Sequence, residues 1–308
     1  MDVSIIIINF NTAQLTLDCI QSIQEKTNIQ LSYEIIIVDN NSNIDDYLFL
    51  RNQLPQNIKL VRSVFNCGFS SGNMLGVHHA TGDYLAFINS DVLFIDDCLQ
   101  DLKNYMDHNL KTGVCGPKQV SKELKWKKSF DHFHGIRKKL FGKSFLETFF
   151  SKTKPKRKGN YSQPLKVDFV QGSFMFFRAD YFAKIGGFDT NIFLYYEEMD
   201  ICKRLKNKGY DSIHIPTSSF IHYEGASTKL GYLKKLELTI SYLYVLRKNF
   251  GYPRYLFIKY FILIQTFFKS LFNWSHWKLF FTLLTLGAPL SHSLRKKQTI
   301  NFIHHENN

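Results

Sequence analysis

With 308 residues, 44% of them apolar and 16% aromatic, the chain can build a sizeable core, which excludes disorder as a description of most of it. Its net charge of +13 is uneven: residues 122–160 hold 13 Lys/Arg against 3 Asp/Glu and residues 229–297 hold 12 against 1, leaving 14 basic and 22 acidic residues elsewhere. An acidic body with two basic, aromatic-rich appendages and no recognisable nucleic-acid module excludes nucleic acid as the expected partner and points to an anionic membrane surface.

Residues 3–8 open the chain with a β-branched run that reads as a buried strand, because neither a basic leader nor a small-residue cleavage site precedes it. Thr12 offers an N-cap to a helix with Leu15, Leu17, Ile20 and Ile23 at roughly helical spacing. Residues 34–38 predict a second strand, 44–53 a helix, 58–62 a third strand and 70–80 another helix. Gly82 then punctuates the chain before an apolar strand over 84–88 and a helix near 96–107. Strands apolar on both faces, alternating with helices, imply a mostly parallel sheet covered on each side. Ligands of such sheets bind beyond the carboxyl ends of the strands, so residues 9–11, 39–42, 66–72 and 89–91 should converge on one crevice. The five cysteines are scattered without a metal-binding or redox spacing, which fits a reduced, cytoplasmic setting.

Beyond that half the rhythm breaks. Residues 122–160 carry little helix or strand signal, with 152–159 expected as a mobile loop. Order should resume over 167–178, with a turn at Gly186-Gly187, a helix over 197–208 and short strands near 211–215 and 219–222. From Leu233 onward the chain is rich in Leu, Ile, Phe and Tyr, yet Arg254, Lys259, Gln265, Lys269 and Lys278 interrupt every window of bilayer-spanning length. One or two basic amphipathic helices lying in the membrane interface are expected, anchored by Trp274 and Trp277; a helical pair packed onto the core is the other reading.

Two groups of residues suggest chemistry. Asn66, Gly68, Ser71, Gly72 and Asn73 make a small polar bend into a helix, where backbone N–H groups and the helix dipole can meet phosphate. Glu197, Glu198 and Asp200 crowd a helix N-terminus, whose positive end favours carboxylates. Helical spacing puts Glu197 and Asp200 on one face and turns Glu198 about 100° away.

The order IIIVDNNS (35–42), NCGFSSGNMLG (66–76), GDYLAFINSD (82–91), FLYYEEMDICKR (193–204) and HYEGAS (222–227) resembles family-2 inverting glycosyltransferases of the GT-A fold, and within them bacterial rhamnosyltransferases of cell-surface polysaccharide assembly such as O-antigen or capsule. The resemblance implies a Rossmann-like catalytic domain over 1–228, divided into a nucleotide-sugar-binding half (1–116), a basic variable loop (122–160) and an acceptor half (166–228), followed by a membrane-associating helical extension (229–308). Asp39 is then expected at the pyrimidine base, with Asn9, Asn11, Asn66, Gly68, Gly72, Asn73 and Asn89 around the donor. Asp91, at the place of the family's Asp-x-Asp motif, and His222 are expected to hold Mg²⁺ or Mn²⁺. Glu198 is implied as the base, Asp200 as the second candidate and Glu197 as a positioning group; Asp168 is expected on the acceptor side and Ser227 at phosphate. Asparagine at position 89 departs from a two-carboxylate metal grip. The implied reaction moves L-rhamnose from dTDP-rhamnose, or a hexose from a UDP-sugar, to a polyprenyl-diphosphate-linked glycan on the inner face of the bacterial cytoplasmic membrane, with a homo-oligomer left open. A non-catalytic membrane scaffold on the same core is a second reading. A sugar nucleotidyltransferase is a third, but it would want a Gly-rich basic loop where residues 9–12 read Asn-Phe-Asn-Thr.

Overall fold

The isoleucine-rich opening forms strand β1 (Val3–Asn9) in the computed structural model, which describes residues 1–223 and 231–300. β-Branched side chains favour this pleated, covered setting. Helix α1 (Ala13–Lys26), strand β2 (Tyr33–Asp39), helix α2 (Ile44–Gln53), strand β3 (Lys59–Arg62), helix α3 (Gly68–Val77) and strand β4 (Tyr84–Asn89) follow in the expected rhythm. The four strands lie parallel in the order β3-β2-β1-β4. Ile5, Ile7, Ile35 and Ile37 point into one core with Ile20 and Ile23 of α1, while Ile6, Ile36 and Phe87 point into the opposite one. Thr12 does not cap α1 with its side chain; Asp46 of α2 does so instead, accepting from the Ala13 N–H at 3.0 Å.

The second half is less regular. Strand β5 (Val92–Phe94), helix α4 (Cys98–His108), strands β6 (Thr112–Val120) and β7 (Phe130–Asp131), helix α5 (Ile136–Phe149), strands β8 (Leu165–Val167), β9 (Phe169–Val170) and β10 (Phe174–Arg178), helices α6 (Ala179–Lys184) and α7 (Glu197–Asn207) and strand β11 (Asp211–His222) complete it. The main sheet runs β3-β2-β1-β4-β10-β6-β11-β5, with β8 also paired to β11. Strand β10 is antiparallel to β4 and β6, and β5 and β8 are antiparallel to β11, so the sheet is mixed rather than mostly parallel. Strand β5, joined to β4 by a two-residue turn at Ser90-Asp91, does not pair with it but lies antiparallel on β11, and β10 takes the place beside β4. The two short strands expected near 211–222 are one strand with a register break between Ile215 and Ser219.

The basic stretch expected to be irregular carries β7 and helix α5, bent at Gly142 where φ is +81°. Buried carboxylates hold it down. Asp131 takes Lys138 at 2.7 Å and Lys128 at 3.2 Å, Glu147 takes Arg157 at 2.5 Å, and Asp168 takes Lys154 and the Phe133 N–H. Asp168 is thus an anchor for this stretch rather than an open lining of an acceptor cleft.

Helix α8 (Gly231–Phe250) is built into the core through Leu236, Ile240, Leu243 and Leu246, and α9 (Tyr252–Phe272) and α10 (Trp277–Leu286) pack outside it through Ile258, Leu279 and Leu283. The expectation that charges break every spanning window does not hold for α9. It is long and apolar enough to cross a membrane by length and composition, with 17% of its most apolar window buried, since Lys259 and Lys269 stand far enough apart to leave an apolar stretch. The boundary at 228 and residues Glu224 to Ser227 of the HYEGAS segment lie outside the described residues.

Candidate active site

The four polar strand ends do meet, and hydrogen bonds join them. Asn9 Nδ2, at the end of β1, donates to Asp39 Oδ1, Ser42 Oγ and Asp46 Oδ2 at 3.0, 3.0 and 2.9 Å. Asn40 Nδ2 donates to Asn66 Oδ1 at 3.0 Å, and the hydroxyls of Thr12 and Ser90 stand 3.0 Å apart. Asn11, with φ at +55°, accepts from the Asn43 N–H through Oδ1 at 2.8 Å.

Asp39 is wholly buried. Besides Asn9 it accepts from the Ser42 N–H at 3.3 Å and lies 3.0 Å from Arg62 Nη1. Arg62 also donates to the Ser42 carbonyl at 2.9 Å and stacks on Tyr47 at 4.1 Å. The carboxylate therefore sets the floor of the crevice through its neighbours. Arg62 was missed in the sequence, although it ends β3 in register with Asp39 and so stands where a cation would be expected.

The glycine-rich bend serves packing. Gly68 has φ +79°, and a Cβ there would stand 2.2 Å from the Phe193 carbonyl oxygen, which accepts from the Phe69 N–H at 2.8 Å. Gly72 lies against Ile8 of β1, and the Asn73 amide bonds back to the Phe69 carbonyl at 3.1 Å. Asn66 Oδ1 accepts from Asn40 and from the Gly68 N–H. These residues hold α3 on the sheet and brace the segment leading into α7.

At the far end of the crevice Asp91 and His222 come together, with Oδ1 and Nε2 3.1 Å apart. Pairing of β5 with β11, and the bond from the Tyr223 N–H to the Asp91 carbonyl at 3.1 Å, fix the approach. Two neighbouring ligands of an octahedral ion, each about 2.1 Å from the metal, stand about 3 Å apart, so the pair suits a hard divalent cation. The buried Nδ1 of His222 has no hydrogen-bond partner. Among the described residues no third His, Cys, Asp or Glu joins them, so further ligands would come from diphosphate oxygens and water. Asn89 is half-buried beside this pair, and its N–H donates to the Ser173 carbonyl at 3.0 Å, which brings Gly172 and Ser173 to the crevice.

Glu198 packs on Gly172, where a Cβ would meet its Cδ at 3.8 Å. Tyr195 and Tyr196, just before α7, both adopt positive φ (73° and 68°), a strained left-handed pair that sets the first helical turn. One carboxylate oxygen of Glu198 and one of Glu197 are buried without a hydrogen-bond partner. Burial raises the Glu198 pKa, with Asp131 adding to the effect and Lys128 opposing it; both neighbours lie in the basic stretch and were missed in the sequence. Burial and the Glu198 charge push the Glu197 carboxyl well above the usual range. Asp200 is different, being wholly buried and held by Arg204 Nη2 at 2.7 Å, Lys248 Nζ at 2.9 Å and Asn249 Nδ2 at 2.7 Å. That set of partners ties α7 to α8 and removes Asp200 as the alternative base.

Residues 4–186 match the family model described as glycosyl transferase family 2. The rhamnosyltransferase WbbL of Escherichia coli (strain K12) is 28% identical over 196 residues, spanning 59% of this chain and 71% of that protein. An N-acetylglucosaminyl-diphospho-decaprenol L-rhamnosyltransferase of Mycobacterium tuberculosis (strain CDC 1551 / Oshkosh) is 34% identical over 62 residues, 20% of each chain. Two solved structures share the fold: GalNAc-T7 with UDP, GalNAc and Mn²⁺ (TM-score 0.57, 14% identity, 80% of this chain and 48% of that one), and the mannosyltransferase PcManGT from Pyrobaculum calidifontis with GDP-Man and Mn²⁺ (TM-score 0.55, 17% identity, 80% and 63%).

Proposed function

The chain belongs to glycosyl transferase family 2, and from that premise we propose that it is an inverting glycosyltransferase passing L-rhamnose from dTDP-rhamnose, or else a hexose from a UDP-sugar, to a lipid-linked glycan of a cell-surface polysaccharide. The observation that carries the reading is the meeting of Asp91 with His222 in the same crevice as the strand ends, brought about by the pairing of β5 with β11. Kinship with a rhamnosyltransferase over 71% of that protein's length supports the sugar, and the diphospho-decaprenol in the second relative's name supports the acceptor class. The Mn²⁺ in both solved relatives supports a divalent cofactor, Mg²⁺ or Mn²⁺.

Asp91 and His222 would hold the cation, which screens the charge of the donor diphosphate and eases its departure. Asp39, Arg62 and the wholly buried Asn9 order the loop 39–42 for the nucleotide, and Asn11 and Asn89 line the way to the diphosphate. Glu198 removes the acceptor proton as the hydroxyl oxygen attacks the anomeric carbon. The new C–O bond forms as the bond to the diphosphate breaks, on the opposite face, so configuration inverts. Its raised pKa suits a base that must take a proton near neutrality. The enzyme works on the cytoplasmic face of the membrane, held through its basic helices.

The test is release of dTDP from dTDP-rhamnose with Mn²⁺, and of UDP from UDP-hexoses. Glu198→Gln should lower turnover at least ~100-fold while the donor still raises the melting temperature. An active Glu198→Gln variant removes the base assignment. Should no sugar nucleotide be consumed with either metal, the scaffold reading stands.

A further inference from the structure

Residues 293–300 bring the described part of the chain back onto its first half. Glu237 of α8, which is buried, accepts from Ser293 Oγ at 2.8 Å and from the Leu294 N–H at 2.7 Å, so the segment starts from a fixed point. Leu294–Lys297 make one short helical turn, and the Leu294 carbonyl accepts from the Gln298 side chain at 2.9 Å. Arg295 Nη1 then donates to the Thr190 carbonyl at 2.8 Å, and the Thr299 carbonyl accepts from Asn41 Nδ2 at 3.3 Å. Thr190 and Asn41 belong to the two loops that grip the Gly68 bend, one through the Phe193 carbonyl and the other through Asn40, whose Nδ2 donates to the Gly68 carbonyl at 3.2 Å. The segment therefore bridges those loops at the nucleotide end of the crevice.

Within loop 39–42 every side chain but one has its oxygens bonded. Asp39 Oδ1 accepts from Asn9, and its Oδ2 meets the Ser42 N–H and Arg62. Asn40 Oδ1 accepts from the Cys67 N–H at 2.9 Å, and Ser42 Oγ accepts from Asn9 and from the Asn11 N–H. The exception is Asn41, which is 8% exposed and held at φ +65°. A carbonyl can only accept, so Thr299 takes the amide nitrogen of Asn41 and turns Oδ1 the other way. Among the described residues that oxygen is buried without a hydrogen-bond partner. An unmet acceptor in a covered place is costly, and a donor group brought by a ligand removes the cost. Thymine and uracil both carry such a group, the imide N–H.

We propose that Asn41 reads the base of the donor nucleotide, its Oδ1 accepting from the imide N–H, and that residues 293–300 are a strap that holds the Asn41 amide in this orientation and closes over the base. Because Oδ1 is covered, the strap lifts to admit the nucleotide and then closes on it. Asp39, with both oxygens taken, acts on the loop and not on the base. The proposal rests on the glycosyltransferase reading above for the class of its ligand.

Nucleoside diphosphates alone, with Mg²⁺, test it without turnover. The wild-type chain should bind UDP and dTDP at least ~10-fold more tightly than CDP, whose base has no imide N–H, as the gain of one buried hydrogen bond implies. Asn41→Gly keeps the left-handed backbone and removes the amide, so it should bind UDP at least ~10-fold more weakly and lose the preference over CDP. A chain ended after Lys297 keeps the Glu237 anchor but removes the Thr299 carbonyl, and should also weaken UDP. The two changes together should lose less than the product of their separate effects, because both remove one contact; a loss equal to the product overturns the coupling. UDP should slow tryptic cleavage after the exposed Lys296 and Lys297, and cleavage at an unchanged rate overturns the closing of the strap. A wild type that binds CDP as well as UDP, or an Asn41→Gly variant that keeps the preference, overturns the base contact and leaves the glycosyltransferase reading standing. Failure of every nucleoside diphosphate to bind overturns both.

Discussion

Glu197 and Glu198 follow one another in the same helical turn, yet the fold gives them different surroundings. Glu198 packs on Gly172, next to the Asn89–Ser173 contact, and is only half-buried, whereas Glu197 is buried; each keeps one unpartnered carboxylate oxygen. The raised Glu197 pKa has a stability consequence whose sign is fixed. A carboxyl whose folded pKa lies above its unfolded value, about 4.3, contributes stability fully below that value and loses it as pH rises through the folded pKa. Glu197→Gln keeps the neutral shape and escapes that loss. It should melt above the wild type at pH 7–8, by about 2–4 °C for each kcal/mol recovered, and level with it near pH 4. A gain of the same size at both pH values would mean that the charge on Glu197 is not the cause. The three acids could be read from the sequence as a cluster, but the ion pairs that tie up Asp200 could not. Asp200 is set apart by Lys248 and Asn249, which arrive from α8, and no local spacing announces a partner that distant.

Among the elements, α3 shows most directly how packing reaches the site. Gly68 is the point where its N-terminus meets the Phe193 carbonyl, and the strained Tyr195–Tyr196 pair that launches α7 begins two residues later. Gly68→Ala meets two penalties, a left-handed φ and a carbonyl 2.2 Å from the new Cβ, and should cost at least about 2 kcal/mol of stability. Because the displaced segment carries Glu198, turnover should fall more than donor affinity. Gly72→Ala is the control, since its Cβ would meet the movable tip of Ile8 at 3.0 Å and should be milder on both counts. Thermal melts and steady-state kinetics of the two variants check this, and equal effects would detach the glycine from the catalytic turn. The first-half elements were legible because apolar alternation and polar strand ends are local signals. Helix α5 was not, because the basic stretch around it reads as a solvated run until Asp131, Glu147 and Asp168 are seen to pair with Lys138, Arg157 and Lys154. The same distance effect hid the antiparallel placement of β10, which depends on what β4 finds beside it.

At the scale of the whole molecule, the two basic stretches that are separate in sequence become one face. Helix α5 from the middle of the catalytic domain touches α9 near the end of the chain, with Lys139 beside Lys269. Around them Phe141, Phe149, Phe268, Leu271 and Trp274 are exposed. Ile258, Thr266 and Ser270 are the buried residues of α9, so one side of the helix is committed to the protein, and a spanning orientation would carry Lys259 and Lys269 toward hydrocarbon. The arrangement instead favours a helix lying in the interface, with apolar side chains inserted and each nearby Lys or Arg adding about 1 kcal/mol at an anionic surface. Removing residues 250–297 would be a poor test, because Ile258, Leu279 and Leu283 belong to the core and Glu237 of α8 is bonded to Ser293 and the Leu294 N–H. Replacing exposed side chains is cleaner. Phe141→Glu/Phe268→Glu should melt as the wild type does, since both rings are more than half exposed, yet lose at least ~10-fold in affinity for phosphatidylglycerol vesicles at low salt. Raising the salt should weaken the wild type as well, by screening the lysines while leaving the rings. If the variant cosediments with vesicles as the wild type does, insertion of this face is wrong and the lysines alone must account for any attachment. If the variant instead changes the mass of the particle in solution, the apolar face belongs between two copies of the chain rather than against lipid.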